Sequence, residues 1–192
     1  MKKIKINFGS GANILKDHIN VDISKSFGAQ IIHNMNTFPY PFKDNYADEI
    51  LCEMTLEHIL YPTKAIEEFH RIIKKEGIIK IIVPHFSAPY ALSADIHIRN
   101  YGVGYFYGFE NNNKDMFNKE QKVVMDSIEK RFGDVKVKLV FPKGYMTIIS
   151  LPFQLIFGNN KILQGVYEML FSNFYRANEI HIIFKNKTIK GM

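Results

Sequence analysis

His58, His85 and His97 each follow a run with strand character or stand in the loop beyond one, and Arg99 is two residues past the last of them. An imidazole changes protonation near neutral pH, so any of the three can take a proton from an oxygen or nitrogen nucleophile. A guanidinium beside it can orient an anionic substrate. A second group has binding chemistry. Gly9-Ser10-Gly11 comes directly after the apolar run at residues 4–8, and Asp22 closes the run at residues 19–23. Glycines there let a ligand reach the backbone, because a Cβ would collide with it. A carboxylate at the second strand end can accept hydrogen bonds from both hydroxyls of a ribose. The same tripeptide could be only a tight turn, and Asp22 could cap the next element through Ser24.

A dinucleotide is the first rival ligand. Its fingerprint needs a third small residue, where this chain has Ile14, and an acid about 20 residues further on. Asp22 follows Gly11 by only eleven positions. A nucleoside ligand without a diphosphate fits the spacing better. A metal is not expected: the seven histidines lack a His-x-x-x-His spacing, and Cys52 is the single cysteine.

These residues need a scaffold, and the pattern supplies one. Short β-rich runs at residues 4–8, 19–23, 30–34 and 47–52 alternate with turns and helical stretches, the pattern of a parallel α/β sheet. Phe38-Pro39-Tyr40-Pro41-Phe42 must be a loop. Residues 62–75 place Ala65, Ile66, Phe69, Ile72 and Ile73 at helical spacing, with Pro62 at the start and Gly77 past the end. Residues 78–83 read as a central strand buried on both faces. A helix at 119–132 and strands at 135–141 and 179–184 complete the expectation. The fold class is α/β, a doubly wound, mostly parallel sheet with an antiparallel edge strand.

At 192 residues, 46% hydrophobic and 23% charged, the chain suits one domain, with a cofactor-binding half at 1–90 and a substrate-side half at 91–192. The net charge of +6 comes from scattered lysines, so nucleic acid is not an expected partner. No apolar run reaches the roughly 18 residues of a membrane span, and residues 1–7 lack a signal-peptide core, so the expected location is cytoplasmic. Cys52 lies in an apolar run, where a buried inert thiol is the default. The aromatic segment 153–175 reads as a helix packed on the sheet. A lid, a homodimer surface and a peripheral membrane contact are the alternatives.

Residues 5–89 resemble the class I S-adenosylmethionine-dependent methyltransferases, in the small type 11-like branch. The resemblance rests on Ile6-Asn7-Phe8-Gly9-Ser10-Gly11, Ile19-Asn20-Val21-Asp22-Ile23, the Phe-Pro-Tyr-Pro-Phe loop and Ala47-Asp48-Glu49-Ile50. Leu56-Glu57-His58, Phe69-His70-Arg71, Glu76-Gly77 and Val83-Pro84-His85 follow in order. It implies S-adenosylmethionine as cofactor. Phe8 and Gly9 to Gly11 would lie against its methionine part, Asp22 and Ile23 at the ribose, Asn34 and Met35 at the adenine, and Cys52, Glu53 and Met54 near the sulfonium. Departures are Asn13 for a glycine, Asn34 for an aspartate and Glu76-Gly77 for Pro-Gly. His97 and Arg99 match a family Asp-Pro-Thr-His-x-Arg segment, in which the aspartate's place is taken by Ala94 while Asp95 lies one residue late. The implied reaction is methyl transfer to a small molecule or glycan at oxygen. His97 would be the base, His85 and His58 the alternative bases, and Arg99 the residue that orients the substrate. A catalytically silent binding subunit and a nucleotide-dependent oxidoreductase are the rival readings.

Overall fold

The computed structural model describes residues 3–93, 96–110, 132–142 and 147–186. The expected helix at 119–132 lies outside them except for Phe132, as do Ala94 and Asp95. Seven strands form one sheet in the order β3-β2-β1-β4-β5-β7-β6. They are β1 (Lys5–Phe8), β2 (Ile19–Asp22), β3 (Ile31–Ile32), β4 (Ala47–Glu53), β5 (Ile73–Pro84), β6 (Asp134–Val140) and β7 (Glu179–Lys185). The first five pair in parallel. β7 runs antiparallel to both β5 and β6. The antiparallel pairing thus falls at the expected side of the sheet, with β6 outermost. Order reverses between β1 and β4, the crevice position at which open α/β sheets bind ligands.

Three features differ from the sequence reading. β3 shortens to two residues because the chain turns at Asn34, whose Oδ1 accepts from the Asn36 N–H at 3.0 Å. Helix α1 (Pro62–Ile72) stops early, and the chain passes directly into β5, with Ile73 already paired with Ala47. Residues 78–83 of β5 alternate between buried and half-buried instead of being enclosed on both faces. The half-buried face carries Lys80, which pairs with Glu49 of β4 at 2.8 Å.

α1 also anchors the proline loop. Phe69 packs in the core against Phe8 and Tyr40. Arg71 donates to the carbonyls of Phe42 and Tyr40 at 2.8 and 3.2 Å, and its partner Glu68 accepts from the Tyr40 N–H at 2.7 Å. The Tyr40 hydroxyl in turn donates to the Met35 carbonyl at 2.9 Å, fixing the chain after β3. That is the physical content of the Phe-His-Arg and Phe-Pro-Tyr-Pro-Phe motifs.

The remaining helices are α2 (Pro89–Ser93), α3 (Val103–Tyr107), α4 (Thr147–Phe157) and α5 (Lys161–Val166), which continues into a π turn at Tyr167–Phe171. α4 and α5 cover the open edge of β6. Gln154 bonds the backbone of Leu139 and Phe141, and buried Gln164 donates to the Val137 carbonyl at 3.0 Å. Two glutamines thereby satisfy edge groups that would otherwise invite another strand. The segment 153–175, expected as a helix packed on the sheet, is instead the end of α4, then α5 and the π turn, and these pack at the sheet edge. Its outer side leaves Leu155, Ile162, Met169 and Phe174 exposed. Among the described residues no helix is long and apolar enough to cross a membrane.

Candidate active site

β1 ends at Phe8, and the chain reverses through two residues with left-handed backbone, Gly9 (φ 67) and Gly11 (φ 47). The Gly9 and Ser10 N–H groups donate to the Val21 carbonyl at 2.8 and 3.1 Å, tying this turn to β2. A Cβ on Gly9 would fall inside the Thr55 side chain, whereas one on Gly11 would meet nothing within 4 Å. The first glycine is required by packing. The second borders open space.

That space is a cavity of about 340 Å³ at the carboxyl ends of β1, β2 and β4, within the roughly 300–1,000 Å³ of small-molecule sites. Gly9, Gly11, Asp22, Ile23, Asn34, Met35 and Met54 line it, as expected from the sequence. So does His58, expected as a base rather than a cofactor contact. Sequence reasoning missed His33, Asn36, Thr55 and Ile59, which line it too. They follow strands β3 and β4 directly, and the neighbourhood of the assigned residues was the available signal. Asp22 receives the Gly11 N–H on Oδ2 at 2.8 Å and the Ser24 N–H on Oδ1 at 3.0 Å. Capping through Ser24 and exposure to the cavity therefore coexist. Each oxygen keeps a second lone pair for a hydroxyl.

Phe8, Ser10, Cys52 and Glu53 are not brought into the cavity lining. Phe8 is fully enclosed by Tyr40, Phe42 and Phe69, because the strand end turns its side chain into the aromatic core. Cys52 is buried, and burial pushes its thiol pKa well up, which makes it inert. Ser10 is buried with no partner for its hydroxyl, and Glu53 accepts from Asn13 at 3.3 Å.

The histidines separate by environment. His85 is fully buried at the end of β5. Its Nδ1 accepts from the Ser87 N–H at 3.1 Å, so Nε2 carries the proton and donates to Glu168 Oε1 at 3.1 Å. Glu168 also accepts from the Val103 N–H at 2.6 Å. Both ring nitrogens are engaged and no solvent reaches them, so the expectation of His85 as a base is corrected: it locks α5 and α3 to the sheet. Tyr90 likewise is used, donating to the Asn178 carbonyl at 2.8 Å.

His58 and His97 come together, with ring centroids 4.9 Å apart. The sequence places them on separate segments, and a backbone zipper joins these. Glu57 O accepts from the N–H groups of Ile98 and Arg99 at 3.0 and 3.2 Å, and the Tyr101 hydroxyl donates to Leu56 O at 3.0 Å. His58 Nδ1 faces the Ile96 carbonyl at 3.0 Å, and His97 Nδ1 faces the Ala91 carbonyl at 3.2 Å. A carbonyl only accepts, so both Nδ1 atoms carry hydrogen, and Nε2 is the nitrogen of each ring left for other chemistry. Glu57 joins them: one donor atom from each of Glu57, His58 and His97 lies within 4.8 Å of the other two. Glu57 was quoted in the sequence only as part of a motif. Its burial raises its carboxyl pKa, and His58 and His97 pull it partly back.

Arg99 donates to the Leu60 carbonyl at 3.1 Å. It lines a second cavity, of about 550 Å³, with Lys64, Glu67, Tyr61, Tyr101 and Tyr105. This cavity includes Leu60, next in the chain to Ile59 of the first.

Comparison with known proteins agrees with this architecture. Residues 9–81 match the family model described as a methyltransferase domain. An uncharacterized protein of Methanocaldococcus jannaschii is 36% identical over 89 residues, covering 40% of this chain and 36% of its own length, so the chain spans about a third of that relative. A SAM-dependent methyltransferase from Archaeoglobus fulgidus superposes with a TM-score of 0.59 at 14% identity, over 95% of this chain and 86% of that one. A second, from Thermotoga maritima, gives 0.56 at 15% identity, over 97% and 84%.

Proposed function

We propose that the chain, whose residues 9–81 match a methyltransferase-domain model, is a class I S-adenosylmethionine-dependent methyltransferase that transfers the methyl group of this cofactor to an oxygen of a small-molecule or glycan acceptor. The observation that carries the reading is the joint placement of Gly11, Asp22, Asn34 and Met35 on one cavity at the sheet's order reversal. The residues fit the group. Gly11 leaves open space, Asp22 has acceptor capacity for two ribose hydroxyls, and Met35 and Ile59 offer apolar surface to a purine. Asn34 supplies an uncharged acceptor where an aspartate is usual in the family.

The cofactor brings an already activated methyl sulfonium, so the protein must align the acceptor and remove one proton. In this reading the acceptor occupies the cavity lined by Arg99 and Lys64, where two cations favour an anionic group. His97, with Nδ1 held by Ala91 O, presents Nε2 as the proton acceptor. His58, which lines the first cavity, is the second candidate.

Asp22→Ala tests the cofactor pose. It removes charged acceptors worth about 1.5–3 kcal/mol per bond, and water replaces them in part. The expected loss of affinity for S-adenosylmethionine in a titration is roughly tenfold to a hundredfold. Because Asp22 also holds Gly11 and Ser24, the thermal midpoint is measured alongside. Unchanged affinity in a folded variant would put the ribose elsewhere. The catalytically silent alternative is distinguished by methyl transfer from labelled cofactor: binding without turnover across acceptor panels would favour it.

A further inference from the structure

The Glu57–His58–His97 cluster has a chemistry that a proton acceptor alone does not use up. We propose that it is a binding site for a divalent transition-metal ion of the zinc class, with two imidazole nitrogens and one carboxylate oxygen as protein ligands and at least one position left open. The proposal shares His97 with the methyl-transfer reading but does not depend on it.

The first argument is the tautomers. Both Nδ1–H groups donate to backbone carbonyls, those of Ile96 and Ala91, which leaves Nε2 as the ligand atom of each ring. Fixing the outer nitrogen on a carbonyl is how metal-ligating histidines are oriented and kept in ligand form. The second argument is Glu57. It is 1% exposed, and its Oε2 is buried without any hydrogen-bond partner. An unpaired buried carboxylate oxygen is costly. A metal ion held between the three donor atoms would pair this oxygen together with the two imidazoles. Three metal-ligating side chains thus offer their donor atoms within 4.8 Å of one another, one of them a buried oxygen with no other partner.

Geometry sets the size of the adjustment. Donor atoms within 4.8 Å of one another must close to about 3.3 Å around a tetrahedral zinc with bonds of about 2.0–2.1 Å. Both histidines are half-buried, so rotation of their side chains supplies this, while the zipper between residues 57 and 98–99 holds the backbone. Two histidines and a glutamate with an open position are a known catalytic zinc set. Its absence from the sequence pattern is explained by assembly: His97 comes from a segment 40 positions beyond Glu57, so no paired-ligand spacing exists. An ion here would lower the proton affinity of an oxygen entering its open position, and would take up the His97 nitrogen that acts as the base when no ion is bound.

The test uses the full chain, stripped with chelator and desalted, titrated calorimetrically with zinc chloride and optically with cobalt chloride. The expected result is one ion per chain, a zinc-dependent rise in thermal midpoint reversed by chelator, and cobalt ligand-field bands. His97→Ala and Glu57→Gln should weaken zinc by about 100-fold or more, since even outer partners are worth 10–100-fold. His181→Asn, in the Glu179–His181 pair on β7, should change nothing. Where Glu57→Gln does not fold, half-buried His58→Gln replaces it. Equal zinc affinity in wild type and His97→Ala, or no stoichiometric binding in wild type, would overturn the proposal. S-adenosylmethionine binding is measured on the same samples and should persist in His97→Ala, so the failure of the ion site and of the methyltransferase reading are read separately.

Discussion

Replacing His97 by alanine is expected to lower methyl-transfer turnover by about 10²–10⁴-fold while leaving affinity for S-adenosylmethionine almost unchanged. Among the described residues the ring's hydrogen-bond partner is the Ala91 carbonyl at 3.2 Å, and the ring lies beside Glu57 and His58. Losing one neutral hydrogen bond costs about 0.5–1.5 kcal/mol, which for a chain of this size lowers the thermal midpoint by only a few degrees. Arg99→Ala should instead raise the acceptor's KM more than it lowers kcat, because Arg99 lines the second cavity without approaching the His58–His97 pair through any hydrogen bond of its own side chain. Kinetics and melting curves on both variants check this. A large fall in midpoint with parallel loss of cofactor binding in His97→Ala would make the residue a loop anchor.

The second large effect is on stability. Gly9→Ala must hold an alanine at φ 67 and place its Cβ inside the Thr55 side chain. The left-handed backbone costs about 1–2 kcal/mol and the overpacking about 1–3 kcal/mol. At about 2–4 °C per kcal/mol, a drop of roughly 5–15 °C is expected. Gly11→Ala carries only the backbone cost, since nothing lies within 4 Å of its added Cβ. Yet that Cβ enters the cavity, so Gly11→Ala should lose cofactor affinity out of proportion to its small loss of stability. Thermal melts with cofactor titration separate the two, and identical behaviour would contradict the distinct roles drawn for these glycines.

The sheet was legible because its strands are short apolar runs closed by glycine, proline or a charged residue. Gly9, Gly11 and Asp22 announced the cavity at the carboxyl ends of the strands because they stand at strand ends, where the sheet's topology forces them together. Phe8 and Cys52 misled for a related reason. Adjacency in sequence to a site residue says nothing about the direction of a strand side chain, and the pleat turned both into the core. His85 was ambiguous at the sequence level, since its locking partner Glu168 is 83 positions away. The Glu57–His58–His97 cluster was the least legible feature. It depends on a backbone zipper between residues 57 and 98–99, and backbone hydrogen bonds leave no mark on residue type. An acid and a histidine inside an otherwise apolar stretch, Thr55-Leu56-Glu57-His58-Ile59-Leu60, were the only trace.

The cofactor cavity is the centre of the account, and calorimetric titration of the chain with S-adenosylmethionine, its demethylated product and NAD tests it most directly. Gly11 and Asp22 border a cavity of about 340 Å³, and the sequence lacks the third small residue that cradles a diphosphate. The expected result is one S-adenosylmethionine or demethylated product bound per chain, with NAD binding far more weakly. NAD binding as tightly as S-adenosylmethionine, or more so, would contradict the methyltransferase account.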